Sequence, residues 1–244
     1  MFIKGLRCTG FNSWFSTDIK FTKNTCIIGM NGAGKTTVLN LLAGVMGTPN
    51  ANELIEGRPI TSCEIDFIDD DGNERTFSMK NKNQFDMDEI TEFKKTLYNK
   101  VSFILTSDTF DDYFVGRRAD GVENFQRMQQ ILEGMDHMHF NNQNTRIEGK
   151  TYQGFVSETG AQRYLLHLFM RMPPETGVPI LVDGPERHLH PSTQRTLMET
   201  IRHVEQFIFT CHSPFMLSES RQGREGRSTI IDLATGKSSD FFDD

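Results

Sequence analysis

The spacing of apolar positions changes period several times along the chain, and each change marks an element. Residues 2–8 and 17–21 read as short strands joined by the aromatic loop Phe11-Asn12-Ser13-Trp14-Phe15. Thr25-Cys26-Ile27-Ile28 predicts a short buried strand ending at Gly29. From Lys35 the pattern turns helical, because Val38, Leu41, Leu42 and Val45 lie three or four apart; Gly47 and Pro49 stop it. Residues 59–80 predict a β-hairpin: Ile60 to Phe67 alternates, Asp71-Gly72 turns, and Arg75 to Met79 returns. A helix is expected over 85–100 and a buried strand over 101–105. Residues 108–150 are the least legible, with a possible helix from Val122 to Leu132 and a polar loop from Met135 to Gln143.

The last third is clearer. A helix over 160–172 gathers Tyr164, Leu165, Leu168, Phe169 and Met172 on one side, and Pro173-Pro174 breaks it. Ile180-Leu181-Val182 predicts a strand ending at Asp183. Leu197, Ile201 and Val204 mark a helix face, Phe207 to Thr210 another strand, and Thr229 to Leu233 the last. Strands alternating with helices indicate an α/β sheet, to which the 59–80 hairpin is an antiparallel addition.

Composition narrows the class. The chain has 244 residues, 36% apolar and including 20 Phe, enough for a packed core. With 26 basic and 33 acidic residues the net charge is −7, which excludes a chain coated in basic surface such as a DNA packer. No apolar run approaches the ~18 residues of a membrane span, and Met1 to Arg7 is too polar for a secretory signal, so a cytoplasmic protein is expected. Cys8, Cys26, Cys63 and Cys211 form no CxxC pair and are expected to be reduced and mostly buried.

The chemistry sits between the predicted strand at 25–28 and the helix at Lys35. Gly29-Met30-Asn31-Gly32-Ala33-Gly34-Lys35-Thr36 fits GxxxxGK[ST] without a gap. Gly29, Asn31, Gly32, Ala33 and Gly34 let backbone N–H groups curl around phosphate oxygens, and the helix start adds partial positive charge. Lys35 supplies a cation for the β- and γ-phosphates, and the Thr36 hydroxyl a magnesium ligand. A carboxylate at the tip of a buried strand, Asp183, is most simply explained by a cation, with a turn or helix cap as the alternative. His212 ends another apolar strand, where a histidine can reach a γ-phosphate or position water; taken alone it would be read as structural.

These segments, in this order, resemble the ABC-type ATPases of the RecF/SMC-like group, and look closest to the compact ATPases of OLD nucleases and prokaryotic anti-phage defence modules. The resemblance rests on Ile3 to Arg7 with Phe11-Asn12-Ser13, on Gly29 to Thr37, on Leu181-Val182-Asp183-Gly184-Pro185-Glu186-Arg187-His188-Leu189-His190-Pro191 as Walker B and D-loop, and on Phe209-Thr210-Cys211-His212-Ser213-Pro214-Phe215 as switch-histidine segment. It implies a P-loop ABC-ATPase head, α/β, with an antiparallel β lobe and a helical lobe. One domain over 1–244 is expected, divided into 1–80 with the P-loop, 81–172 with a signature segment, and 173–244 with Walker B and the switch histidine. It implies ATP and Mg²⁺ as cofactors, Thr37 among the nucleotide contacts, and Thr36 and Asp183 as metal ligands. It also implies a homodimer closed around ATP, in which Glu158, Thr159, Gly160 and Gln162 of the signature segment contact the partner copy's nucleotide.

Three departures shape the functional expectation. Gly184 stands where the group usually has its catalytic Glu, so hydrolysis is expected to be slow or conditional, with Glu186 as candidate base and His212 beside it. Glu158 stands where transporters usually carry Ser. No Gln follows the strand at 101–105, where transporter ATPases couple to membrane subunits. The expected function is therefore an ATP-gated switch for a separate effector, a nuclease or toxin in phage defence, with nucleic acid reached through a partner and no membrane. The alternatives are a transporter's nucleotide-binding subunit and a RecF-like DNA-repair ATPase. The His137/His139 and His188/His190 pairs are weak metal signals, and Arg117-Arg118 and Arg221, Arg224 and Arg227 read as solvated surface.

Overall fold

The computed structural model describes residues 1–47, 49–80, 83–97, 102–104, 114–115, 144–147, 150–153, 179–186, 189–191, 194–195, 197–198, 205–222, 228–235 and 237–239. Two sheets enclose one helix. The first is antiparallel, in the order β2-β1-β4-β5, from β1 (Phe2–Phe11), β2 (Phe15–Lys20), β4 (Ser62–Ile68) and β5 (Glu74–Lys80). The second has the order β13-β12-β3-β11-β10-β6-β7. Its strands are β3 (Asn24–Ile28), β6 (Ser102–Ile104), β7 (Phe114–Val115), β10 (Pro179–Val182), β11 (Gln206–Thr210), β12 (Thr229–Asp232) and β13 (Lys237–Ser239). Strands β12, β3, β11, β10 and β6 run parallel, and β13 and β7 are antiparallel additions. A separate hairpin joins β8 (Asn144–Ile147) to β9 (Lys150–Gln153).

Helix α1 (Lys35–Met46) lies between the sheets. It is buried nearly all round, through Val38, Leu39, Leu41, Leu42, Val45 and Met46. One cluster joins these side chains to Ile3, Leu6, Ile65 and Phe67 of the first sheet and to Leu181, Ile208 and Ile231 of the second. Gly44 lets a 3-10 helix (Pro49–Leu54) and its following turn close on α1, because a Cβ there would stand 2.6 Å from the Ile55 side chain. Helix α2 (Met87–Leu97) covers the first sheet. Asp86 caps it by accepting the Glu89 N–H at 3.2 Å, and Phe93 stacks against Phe77 (4.7 Å between centroids) and edge-on to Phe67 (5.8 Å).

The two sheets are also joined by polar contacts. Gln206 is fully buried at the start of β11; its Oε1 accepts the Ile3 N–H at 2.8 Å, and its Nε2 donates to the Ile3 carbonyl at 2.6 Å and the Thr22 carbonyl at 3.2 Å. The side chain thus pairs with β1 as a strand would. Gln206→Leu keeps the volume but strands these buried groups, and an apparent stability loss of about 3 kcal/mol is expected. In thermal melts this corresponds to a fall of roughly 6–12 °C; an unchanged melting temperature would show that the clamp contributes nothing.

The predicted elements over 2–47 and 59–97 are present, with β1 longer than expected and the aromatic loop reduced to Asn12-Ser13-Trp14. Asn12 and Ser13 take positive φ there, which is how so short a turn closes. Two strand expectations are corrected. The strand at 229–233 is not the last, since β13 follows it; Lys237-Ser238-Ser239 is too polar to announce a strand. The span 108–150 also contains β7, β8 and part of β9, which no period of 2 foretold. The expected helices at 122–132 and 160–172, the loop at 135–143 and the turn at 106–108 lie outside the described residues.

The cysteines fall into two neighbouring pairs. Cys8 faces Cys63 across β1 and β4, and Cys26 of β3 lies beside the end of β11, where Cys211 follows Thr210. All four are buried and unbridged. Burial pushes Cys8 up to about 11 and Cys63 higher still, while contact with Cys211, with burial, raises Cys26, so these thiols stay protonated at neutral pH.

Candidate nucleotide site

The parallel register brings three strand ends to one edge. Cys26 pairs with Phe209, and Phe209 with Val182, so the segments after β3, β10 and β11 emerge side by side. Ligands of open parallel sheets bind at this edge. Residues 29–36 follow β3 and lead directly into α1.

Local backbone conformation explains the glycines. Gly34 has φ 98°, and a Cβ there would meet the Phe15 ring at 2.2 Å, so the β1–β2 turn closes against the loop only because this residue is glycine. Gly34 is also the N-cap of α1, with no side-chain cap over the first N–H groups of the helix. That leaves the helix start open to an anion.

Lys35 lies almost wholly buried under the loop, 6% exposed. Its Nζ donates to the carbonyls of Gly29 and Met30, each at 2.9 Å. Burial lowers its pKa below the usual lysine value, opposed by the nearby charges of Asp183 and Glu186. The ammonium is thus fixed at the base of the loop by two carbonyls, with Asp183 and Glu186 as its nearby negative charges.

Across from it stands Asp183, 6% exposed. Its Oδ2 accepts the Thr36 hydroxyl at 3.0 Å and its Oδ1 the Thr210 hydroxyl at 2.5 Å. The Thr36 hydroxyl and the Asp183 carboxylate are hard oxygen donors on adjoining elements, one of them charged, at a spacing that a small divalent cation can share. That chemistry fits magnesium. When bound, the ion would neutralise phosphate charge between these two residues.

Glu186 faces the same edge. Its Oε1 accepts the backbone N–H of His212 at 2.6 Å, and its Oε2 is buried without a hydrogen-bond partner among the described residues. The His212 side chain is exposed, so what the fold anchors at that position is the main chain. Gly184 has φ 61°. Its N–H donates to Thr210 Oγ1 at 2.8 Å. Beyond His212, Ser213 Oγ donates to Gln194 Oε1 at 2.8 Å before helix α3 (Pro214–Gln222) begins.

The structure therefore gathers the residues of 29–37 with Asp183, Glu186 and His212 on one edge. Glu158, Thr159, Gly160 and Gln162 lie outside the described residues, as does His188. Sequence reading passed over Thr210 and Gln194 as site residues. Thr210 carried one signal, a hydroxyl closing the fully apolar run Phe207-Ile208-Phe209.

Comparison with known proteins agrees with this geometry. The profile of the ABC transporter family matches residues 14–166. Structural maintenance of chromosomes protein 1B of mouse, and the same protein of human, are each 38% identical over 84 residues, 28% of this chain; the alignment spans 7% of the length of either relative. Among solved structures, the SMC head domain from Thermotoga maritima superposes with a TM-score of 0.56 at 15% identity, covering 95% of this chain and 94% of that one. An Smc head bound to the C-winged helix domain of ScpA gives 0.58 at 15% identity, with the same coverage. An Smc head with an extended coiled coil, bound to the C-terminal domain of ScpA derived from Pyrococcus furiosus, gives 0.53 at 13%, covering 98% and 95%. These likenesses show the fold to be that of an SMC-type head. The profile covers more than half of the chain and includes the whole phosphate loop, and so the chain belongs to the ABC transporter family, as an ATP-binding ABC-type ATPase.

Proposed function

We propose that this chain is a nucleotide-gated switch, in which two copies close around ATP and Mg²⁺ and a separate effector chain reads the closed state. The observation that carries it is the joining of Thr36, Asp183 and Lys35 under one loop, beside a Walker B segment whose usual catalytic Glu is Gly184. Such a site is built to hold nucleotide and is poorly equipped to destroy it quickly. Family members generally hydrolyse ATP, and Glu186 is the carboxylate nearest to that task here, with His212 beside it.

In this reading Gly29 to Gly34 wrap the phosphates, Lys35 counters their charge, and Thr36 and Asp183 hold the cation. Thr37 and the signature residues Glu158, Thr159, Gly160 and Gln162 complete the contacts across the dimer. The three-part division at residues 80 and 172 belongs to the same proposal. A net charge of −7 supports action on nucleic acid through a partner rather than by this chain's own surface. Among the described residues no helix is long and apolar enough to cross a membrane, which gives a membrane-bound reading no support. The effector as a nuclease or toxin in phage defence, in the cytoplasm, rests on the likeness of residues 181–191 and 209–215 to defence ATPases.

The similarity to structural maintenance of chromosomes protein 1B, and to an Smc head bound to ScpA, favours a second reading, a head that works on DNA together with a partner chain. Both readings require ATP-driven dimerisation. Light scattering on the full chain is expected to show monomer without nucleotide and dimer with excess ATP and Mg²⁺. A monomer under saturating ATP would sink both. Adding double-stranded DNA separates them: DNA binding by the ATP-bound dimer alone favours the second reading.

A further inference from the structure

We propose that Thr210 is a positioning residue for magnesium-dependent nucleotide binding, its hydroxyl fixing the Asp183 carboxylate so that Oδ2 is aimed at Thr36. The inference rests on the ATP–magnesium reading of the site and adds to it a residue from a different strand.

Thr210 closes β11, a strand buried along its whole length, and is itself 1% exposed. Phe207, Ile208 and Phe209 before it are fully buried. Valine would fill the same volume there without bringing a hydroxyl that must be satisfied. The hydroxyl is satisfied twice. The Gly184 N–H can only donate, so at 2.8 Å it requires the Thr210 oxygen as acceptor. A hydroxyl has one proton, and with the oxygen so engaged that proton goes to Asp183 Oδ1, at 2.5 Å. The direction of the hydroxyl is thus dictated by the backbone of the same loop that carries the carboxylate.

The consequence falls on Asp183. A carboxylate at a strand tip can rotate about its side-chain bonds, and a rotation would carry either oxygen away from the cation. Thr210 holds one oxygen, which leaves Oδ2 to face Thr36 at 3.0 Å. The same junction holds Glu186 through the His212 N–H, so two carboxylates of the 183–186 segment are set by the main chain and hydroxyl that end β11. Partners that orient a metal-binding carboxylate commonly change metal affinity about 10- to 100-fold when removed.

The test is a magnesium titration of nucleotide binding by the full chain, with a fluorescent ATP analogue as the probe. Affinity is measured in EDTA and at increasing Mg²⁺ for the parent, Thr210→Val and Thr210→Ser. Thr210→Val is expected to raise the half-saturating Mg²⁺ concentration about 10-fold, with EDTA affinity within roughly twofold of the parent. Thr210→Ser, which keeps the hydroxyl, is expected to stay within roughly threefold at both conditions. An unchanged Mg²⁺ requirement in Thr210→Val overturns the proposal, as does an equal loss of affinity in EDTA, which would mark a merely structural role. Should Thr210→Val fail to fold, Thr210→Cys takes its place under the same criteria, since a thiol donates only weakly. If the parent itself binds no better with Mg²⁺ than in EDTA, the magnesium reading falls and the role of Thr210 with it. A magnesium-dependent parent with an unaffected valine variant removes Thr210 alone.

Discussion

Lys35→Ala is expected to weaken ATP binding about 100-fold or more, close to 2.7 kcal/mol, with Mg²⁺ present. The size follows from where the ammonium sits. It is buried beneath the loop, bonded to the Gly29 and Met30 carbonyls at 2.9 Å, and disfavoured as a cation by its burial. A triphosphate brought to the loop adds negative charge beside a partly desolvated ammonium, so the favourable change on binding is larger than for a solvated lysine. Lys35→Arg is not a substitute, because a planar guanidinium presents a fixed fork of donors where lysine brings a compact point charge. Lys35→Met keeps the aliphatic stem and should lose binding as Lys35→Ala does. Without nucleotide it should melt within roughly 4 °C of the parent, about one to two kcal/mol, because the variant removes a desolvated charge together with its hydrogen bonds. Isothermal titration with ATP and Mg²⁺ reads the affinity. An unchanged dissociation constant for both variants would mean that residues 29–36 are a turn of another kind.

The parts of this molecule that were legible in advance are those where one local rule suffices. The glycines of residues 29–36 and the helix after them announce a phosphate loop, because only that spacing of small residues, lysine and hydroxyl gives the required backbone. The 59–80 hairpin was equally plain: Cys63, Ile65 and Phe67 face the core, alternating with Ser62, Glu64 and Asp66, and Asp69 and Gly72 make the turn. Strands β10 and β11 showed as continuous apolar runs because both of their faces are covered.

What escaped the sequence depends on contacts between distant segments. Nothing near Gln206 says that its amide will pair with Ile3, 203 residues away. Nothing near Thr210 says that its hydroxyl will meet a carboxylate 27 residues earlier. The pairing of Cys8 with Cys63 is likewise a matter of register between β1 and β4, which spacing along the chain does not reveal. Asp183 and Glu186 were identified by motif, but which groups hold them could come only from the order of strands in the sheet.

That order bears directly on hydrolysis, and Glu186→Gln is expected to lower the single-turnover rate of ATP cleavage about 100-fold while leaving ATP affinity within roughly threefold. Position 184 is closed to a simple carboxylate replacement. Gly184 holds φ 61°, where a Glu would cost about 1–2 kcal/mol of backbone strain, and its N–H is committed to Thr210. The next carboxylate is Glu186. One of its oxygens is tied to the His212 N–H at 2.6 Å, and the other is buried with no partner among the described residues. An unpaired carboxylate oxygen is the acceptor that this reading assigns to the proton of the attacking water. Glutamine has the same shape, so its carbonyl can keep the bond to His212, but its amide group cannot accept a proton. The variant should therefore hold ATP and remain in the dimeric state longer than the parent. Quenched-flow measurement of ATP cleavage, together with equilibrium binding, separates chemistry from affinity. Cleavage at the parent's rate would show that Glu186 only anchors the switch segment. A loss of affinity equal to the loss of rate would show that it supports the nucleotide pocket instead.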